Sequence, residues 1–455
     1  MERERLGSRL GFILLSAGCA IGIGNVWKFP YIAGQNGGGI FVLFYFLFLI
    51  IMGIPVMTME FSVGRASQKS PARIYHTLAP KKRVWHLHSY AAVAGNYLLM
   101  MFYTTVAGWM LRYFVDTVGG NFEGLNAKGI ETHFENVLSN AGGLVLYMGI
   151  VVVSGFIICS FSLQKGVERI TKYMMLALLG IMLVLAVHSV TLKGGAEGLA
   201  FYLLPNVERV KEVGLGNVIV NAMNQSFFTL SLGIGSMAIF GSYIGKERSL
   251  LGESVNVAIL DTFVAVAAGF IIFPACSAYG VEVSSGPPLI FITLPNIFNN
   301  LPLGRLWGAL FFVFMTFAAI STVIAVFENI ISCTMDMFGL SRKKACLING
   351  ILMFVLSLPC VFGFNLLSDF KPFGKGTNVL DLEDFIVSYI LLPLGSLIFV
   401  LFCTWKKGWG WKNFKNEANM GKGFKVADWM RGYFTYILPV IILALFVIGL
   451  YNFFK

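Results

Sequence analysis

Residues 18–30 read Gly-Cys-Ala-Ile-Gly-Ile-Gly-Asn-Val-Trp-Lys-Phe-Pro and lie inside the first long apolar segment of the chain. A simple membrane-crossing helix would carry Leu, Val and Ala here without interruption. Instead Gly18, Gly22 and Gly24 each weaken a helix by roughly 1 kcal/mol relative to alanine, and Asn25 and Lys28 add polar groups that hydrocarbon does not tolerate. The pattern predicts an interrupted helix. In a bilayer, broken backbone survives only where it is buried in protein or lines a cavity, and there its freed carbonyls and amides become ligands.

The composition agrees with a membrane setting. Of 455 residues, 57% are hydrophobic and only 13% charged, and the mean hydropathy is +0.76. That leaves too little polar surface for a soluble globule. Apolar runs near the ~20 residues needed to cross a bilayer recur about eleven times, centred near residues 20, 50, 101, 150, 180, 230, 265, 318, 354, 393 and 441. The chain therefore reads as one integral domain over 1–455, multi-pass, in the cell (inner) membrane. Met1-Glu-Arg-Glu-Arg lacks the form of a secretory signal, so the first span reads as mature structure.

The net charge of +11 is distributed as the positive-inside rule requires, not as a nucleic-acid partner would require. Loop 63–88 holds Arg65, Lys69, Arg73, Lys81, Lys82 and Arg83 with no acid, whereas loop 117–140 has Glu123, Glu131 and Glu135 against Lys128. The N-terminus is expected in the cytoplasm. The basic loop 406–431 then falls on the same side, and the C-terminus outside. Loops 245–250 and 340–344 read as ordinary cytoplasmic turns. The seven cysteines include no CxxC pair, so neither a metal cluster nor a disulfide framework is indicated. The five histidines are scattered, three of them assigned to loop 63–88, and no nucleophile–base pair is legible, so no enzyme is expected.

A second irregular span contains Gln225-Ser-Phe-Phe-Thr-Leu-Ser-Leu-Gly-Ile-Gly-Ser236 and repeats the Gly-Ile-Gly of residues 22–24 at 233–235. Placed first in two successive groups of five spans, these segments fit an inverted repeat with a midplane site between two broken helices. Close packing of small residues is the other reading of the echo. The apolar, Pro-rich stretch 282–303 reads as an external loop packed into the protein, either a lid or a buried connector.

Taken together, Ser8-Arg-Leu-Gly, Gly22-Ile-Gly-Asn-Val-Trp-Lys-Phe-Pro, Asn36-Gly-Gly-Gly, Gln225-Ser-Phe-Phe-Thr-Leu-Ser and Ala318-Ala-Ile-Ser-Thr resemble the neurotransmitter:sodium symporters, and more closely their bacterial amino-acid-transporting branch. The resemblance covers nearly the whole chain. It implies an all-α membrane protein with an inverted five-helix repeat (helices 1–5 over about 9–190, helices 6–10 over about 215–406), broken helices 1 and 6, and an extra helix at about 431–453. It also implies two sodium ions. The first would be held by Ala20, Asn25, Thr229 and Asp261 with the substrate's own carboxylate, the second by Gly18, Ile21, Ala318, Ser321 and Thr322. Oxygen ligands of this kind suit a hard cation. Hydrogen bonding back to a helix carbonyl is the alternative use of Ser321 and Thr322.

The same resemblance places substrate against Ile23, Gly24, Leu99, Tyr103, Phe228, Thr229, Ser231, Ile234, Thr322 and Val326. Gly22 stands where monoamine-carrying relatives have an aspartate, which implies that the substrate brings its own carboxylate. Ile234 and Val326 stand where some relatives have phenylalanine and isoleucine, which enlarges the pocket and favours a bulky hydrophobic or aromatic amino acid. Lys28 and Asp384 would form the outer gate, with Phe228 as aromatic lid. Arg3 and Asp336 would form the inner gate, with Ser242 and Tyr243 beside them and Leu6 where relatives carry tryptophan.

Asp261 lies well inside the seventh span, where a charge costs at least ~2.5–3.5 kcal/mol. It is eleven residues beyond position 250, roughly 16 Å along a helix, too far for its side chain to reach the cytoplasm. Counting from Thr229 or back from Gly269 aligns it with a sodium-holding asparagine of the family. Chloride-dependent members build a halide site nearby, matched in part by Tyr45, Gln225 and Thr229; a resident carboxylate would make chloride unnecessary. The expected function is sodium-coupled import of an amino acid by alternating access. A sodium-dependent receptor of the same fold that does not transport is the alternative.

Overall fold

The computed structural model describes residues 4–280 and 288–454, and among them the regular structure is helical. The first span begins at Ser8, whose hydroxyl caps the Gly11 amide at 2.9 Å. It is split: α1 (Arg9–Ala20) and α2 (Gly24–Gln35) meet at a 55° bend. Ile21 is extended there, with ψ at 94°.

Four long helices follow: α3 (Gly39–Ser67), α4 (Arg83–Gly119), then, after the short helix α5 (Ala127–Ser139), α6 (Ala141–Ser160) and α7 (Leu163–Val190). The second half repeats the plan. Its first span is again split, into α8 (Leu215–Thr229) and α9 (Ser236–Gly241), and is followed by α10 (Leu250–Ala278), the short α11 (Leu289–Asn299), α12 (Gly304–Phe338), α13 (Arg342–Phe362) and α14 (Val379–Thr404). A short amphipathic helix, α15 (Trp411–Ala418), and a final span, α16 (Met430–Phe454), close the chain. Nine of these helices are long and apolar enough to cross a membrane, ten with the bent α1–α2 pair. The pair α8–α9 completes the eleven anticipated positions.

In the most apolar stretch of α12, 78% of residues are buried, against 22% in α16. Helix α12 is thus the central post and α16 is peripheral. Helix α1 leans on α12, α10 and α7, while α4 runs along α12 in the most extensive helix pairing. These contacts bring both breaks to the middle of the bundle.

The break in α8–α9 spans Leu230–Gly235, where Ser231, Gly233 and Gly235 have φ of +50°, +95° and +76°. A left-handed serine costs of order 1 kcal/mol or more, and the glycines adopt that geometry without penalty. A Cβ on Gly233 would overlap the Leu392 backbone of α14. Three sequence expectations need correction. Residues 288–299 of the proposed external loop are helical, with Leu289, Ile290 and Phe291 fully buried; residues 282–287 lie outside the described chain. Loop 406–431 contains α15. His88 is not a loop residue but is buried within α4.

Candidate functional site

At the first break the backbone polar groups are captured by side chains from other helices. The Ile23 amide donates to Tyr103 Oη at 2.9 Å, and Gln225 Nε2 donates to the Gly24 carbonyl at 2.9 Å. Tyr103 and the amide of Ile23, both expected to meet a substrate carboxylate, therefore meet each other. A Cβ on Gly22 would overlap both Tyr103 Oη and Thr322 Oγ1, so glycine at 22 is a steric requirement of this arrangement.

Around that point lies a small cavity of about 10 Å³, lined by Gly24, Leu99, Tyr103, Phe228, Ser231 and Thr322, and also by Cys19, Ala20, Gly22 and Leu392. It has room for about one water molecule. The structure thus gathers six of the ten expected substrate residues around one closed space. Ile234 and Val326 are buried but are not among its lining residues, and the Ile234 carbonyl accepts from Asn96 Nδ2 at 2.9 Å.

Of the residues expected at the first cation position, Asn25 and Thr229 meet Asp261, which is 0% exposed, while Ala20 lines the small cavity. Asn25 Nδ2 donates to Asp261 Oδ1 at 2.7 Å. Thr229 Oγ1 lies 3.2 and 3.1 Å from the two carboxylate oxygens, and Tyr45 Oη donates to Oδ2 at 3.3 Å. Gln225 Oε1 is buried without a partner. No basic side chain bonds to Asp261 among the described residues. A buried carboxylate held only by neutral donors is costly unless a cation joins it.

At the second position all five expected residues assemble. Ser321 Oγ is 2.9 Å from the Ala318 carbonyl and 3.5 Å from that of Ile21. Thr322 Oγ1 is 3.1, 3.4 and 3.4 Å from the carbonyls of Gly18, Ile21 and Ala318. The hydroxyls bond back along α12 and also reach across to the broken end of α1, so both uses anticipated from sequence coexist. Three carbonyl and two hydroxyl oxygens thus form one hydrogen-bonded cluster.

Lys28 Nζ pairs with Asp384 at 3.2 Å, each side chain about a quarter exposed (26% and 27%). The ammonium also sits 3.9 Å above the Phe228 ring, and the ring closes over Gly24. A part-exposed ion pair contributes ~0–1 kcal/mol and a cation–π contact ~0.5–1 kcal/mol. The outer contact is therefore weak enough to open thermally.

The expected inner pair, Arg3 with Asp336, falls partly outside the described residues, since Arg3 is not among them. Asp336 accepts from the Ser70 amide at 2.7 Å. A separate ion pair on the same side joins Arg342 and Glu328: Nη1 and Nη2 meet the two carboxylate oxygens at 2.7 and 3.0 Å. Tyr243 Oη donates to Glu328 at 2.6 Å and shares a 2.6 Å bond with Ser332. Glu4 ties the N-terminal segment to this cluster, meeting Arg342 Nε at 3.3 Å and the Leu163 amide at 2.8 Å. Arg342 is thus no ordinary turn residue.

Three further side chains hold the second break. Glu60 accepts the Gly233 amide at 2.6 Å, and the Gly233 carbonyl lies 3.2 Å from His88 Nε2. With Nε2 donating, His88 Nδ1 accepts from Tyr75 Oη at 2.7 Å. Asn96 holds the Ile234 carbonyl. Glu60 carried the same signal as Asp261, a carboxylate in an apolar run, and could have been found by it.

Comparison with known proteins identifies the family. Residues 3–124 and 125–455 match the model of the sodium:neurotransmitter symporter family. The chain is 34% identical over 448 residues to the uncharacterized sodium-dependent transporter YhdH of Bacillus subtilis strain 168, covering 98% of each. It is 31% identical over 463 residues to the uncharacterized sodium-dependent transporter MJ1319 of Methanocaldococcus jannaschii, covering 98% of this chain and 90% of that one. The crystal structure of MhsT in complex with L-phenylalanine superposes with a TM-score of 0.88 at 36% identity, covering 98% of this chain and all (100%) of that one. This multi-pass, all-helical membrane protein is a sodium-dependent transporter, not an enzyme, and it belongs to the sodium:neurotransmitter symporter family.

Proposed function

We propose that the protein imports a bulky hydrophobic or aromatic amino acid together with two sodium ions, without chloride, by alternating access, with its N-terminus in the cytoplasm and its C-terminus outside. The carrying observation is the buried Asp261 carboxylate set among Asn25, Thr229 and Tyr45 without a basic partner. A cation is the group that such a site lacks, and an added halide would be repelled by it. In this reading the two halves, about 9–190 and 215–406, rock around the fixed site, and helix 431–453 stands apart.

The second sodium would sit among Gly18, Ile21, Ala318, Ser321 and Thr322. The substrate carboxylate would displace the bond between Tyr103 and the Ile23 amide and complete the first sodium site. Its side chain would open the closed cavity against Leu99, Phe228, Ile234 and Val326. The relative MhsT, solved with L-phenylalanine, supports a substrate of this size. Two sodium ions with a zwitterion carry two charges, worth ~4.6 kcal/mol per 100 mV at ~2.3 each, on the order of a thousandfold accumulation.

The test is uptake into proteoliposomes under an imposed sodium gradient, with every standard amino acid as competitor and gluconate in place of chloride. Phe, Tyr, Trp or Leu should compete best, and uptake should persist in gluconate. Gly or Ala outcompeting all large side chains would refute the substrate assignment. Binding with no accumulation would mark a receptor.

The second sodium site has its own test. Thr322→Ala removes one hydroxyl oxygen worth ~1–1.5 kcal/mol, so half-maximal uptake should need about tenfold more sodium. An unchanged sodium titration for both Thr322→Ala and Ser321→Ala would show that the ion sits elsewhere.

A further inference from the structure

A larger cavity, about 250 Å³, lies away from the central site, between the last turns of α4, the short helix α5 and the start of α6. Trp109, Arg112, His133, Asn140, Leu144 and Tyr147 line it. Trp109 is six residues beyond Tyr103 on α4, roughly 9 Å along the axis, so this space is separate from the substrate cavity.

Its polar groups are donors held in place. Asp116, with its side chain 2% exposed, takes Arg112 Nε at 2.7 Å, His133 Nε2 at 3.1 Å and Asn121 Nδ2 at 2.8 Å. That carboxylate is saturated. The Tyr147 ring lies 5.3 Å from Arg112 Cζ and fixes the guanidinium plane. Asp116 takes the Nε edge of the guanidinium, and the Tyr147 side chain also engages it. Trp109 is 3% exposed and its indole N–H has no partner. Asn140 spends its oxygen on the Gly143 amide at 2.9 Å, which leaves its NH₂ to donate. Leu144 and Val137 supply apolar wall.

An oriented guanidinium fork, a buried unpaired N–H and a free amide NH₂ call for a ligand rich in acceptors, and a fork matches a carboxylate. The volume falls below the ~300–1,000 Å³ of sites for drug-sized ligands, which sets the ligand at roughly ten non-hydrogen atoms. We propose that this cavity is a second ligand site that takes a small aromatic or branched carboxylate, its acid group on Arg112 and Asn140 and its apolar part against Trp109 and Leu144.

The site has a route to transport. The Trp109 ring also meets Phe291 of α11 and Phe364 edge-on, with centroids 5.6 and 4.9 Å apart. A ligand braced on Trp109 therefore stiffens the packing of α11, and it should slow uptake without competing with the transported substrate.

The experiment uses the full chain in phosphatidylcholine nanodiscs in sodium-free buffer, where a sodium-requiring central site is silent, with phenylacetate as probe. Phenylacetate should bind saturably, and phenylacetamide at least tenfold more weakly. Arg112→Gln should weaken phenylacetate at least tenfold, Arg112→Lys should recover part of it, and Leu144→Trp, which fills the cavity while keeping every donor, should abolish it. Absence of saturable binding, or binding indifferent to both Arg112→Gln and Leu144→Trp, overturns the proposal. A phosphate headgroup offers the same acceptors. If phosphatidylglycerol added to the nanodisc displaces the probe completely, the cavity seats a lipid and the soluble-ligand assignment fails.

Discussion

Replacing Asp261 with serine is expected to abolish sodium-driven uptake in chloride-free medium and to make whatever uptake survives depend on chloride. The reason is local charge. Asp261 is fully buried and bonded only by Asn25, Thr229 and Tyr45, all neutral, so its carboxylate is the single negative group available to balance a cation there. Losing an ionic ligand of this kind costs ~3 kcal/mol, about a hundredfold in sodium affinity. Serine also vacates space beside Tyr45 Oη, Thr229 Oγ1 and Gln225, donors that can hold a halide. Asp261→Asn keeps the volume filled and should be inactive in both media. Uptake by the unaltered protein that collapses in gluconate would overturn the assignment, as would an Asp261→Ser variant with unchanged sodium dependence.

A second large effect is expected at Arg342. Truncating it to alanine leaves Glu328, which is 0% exposed, without its counter-charge while Tyr243 and Ser332 remain bonded around it. Breaking a buried pair in this way costs ~3–5 kcal/mol. Arg342 Nη1 also donates to the Cys159 carbonyl at 3.1 Å and Nε meets Glu4, so one side chain joins α13, α12, the end of α6 and the N-terminal segment. Arg342→Ala should lower the thermal midpoint in detergent by several degrees and reduce uptake at least tenfold. The double change Arg342→Met with Glu328→Leu separates the two roles, since replacing both partners with apolar residues restores stability. Uptake should stay low, because the cluster then no longer opens and closes by exchanging polar partners. Full uptake by the double variant would show that the pair serves only to hold the fold.

The closed cavity bears on both experiments. At about 10 Å³ it is lined by Phe228, over which Lys28 sits while paired to Asp384, and the Arg342–Glu328–Tyr243 cluster lies elsewhere in the bundle. The outer contact is part-exposed and cheap to separate; the inner one is buried and costly. If these two contacts are the gates of the proposed transport cycle, ions and substrate would have to supply more binding energy to open the second than the first.

Much of this was legible in the chain itself. Gly22-Ile-Gly and Gly233-Ile-Gly mark the two breaks because a missing Cβ and a polar residue in an apolar run act locally, whatever surrounds them. Asp261 and Glu60 could be flagged for the same reason, since a carboxylate deep in a span needs a partner wherever the helix comes to lie. The order and number of spans followed from apolar run length.

What the tertiary structure alone decided is which groups meet. Arg342 sits in a short basic stretch, and nothing in Ser341-Arg-Lys-Lys separates it from lysines that face water; only the rotation of α13 against α12 turns it onto Glu328. His88 looked like part of a basic loop, yet α4 starts at Arg83 and carries it inward to the Gly233 carbonyl. The cavity beside Trp109 is made by three successive helices, and its size depends on how they fold back on one another. Periodicity and charge act along one helix and can be read from its residues, whereas ion pairs and cavities depend on the rotation and depth of several helices at once, which only their mutual packing sets.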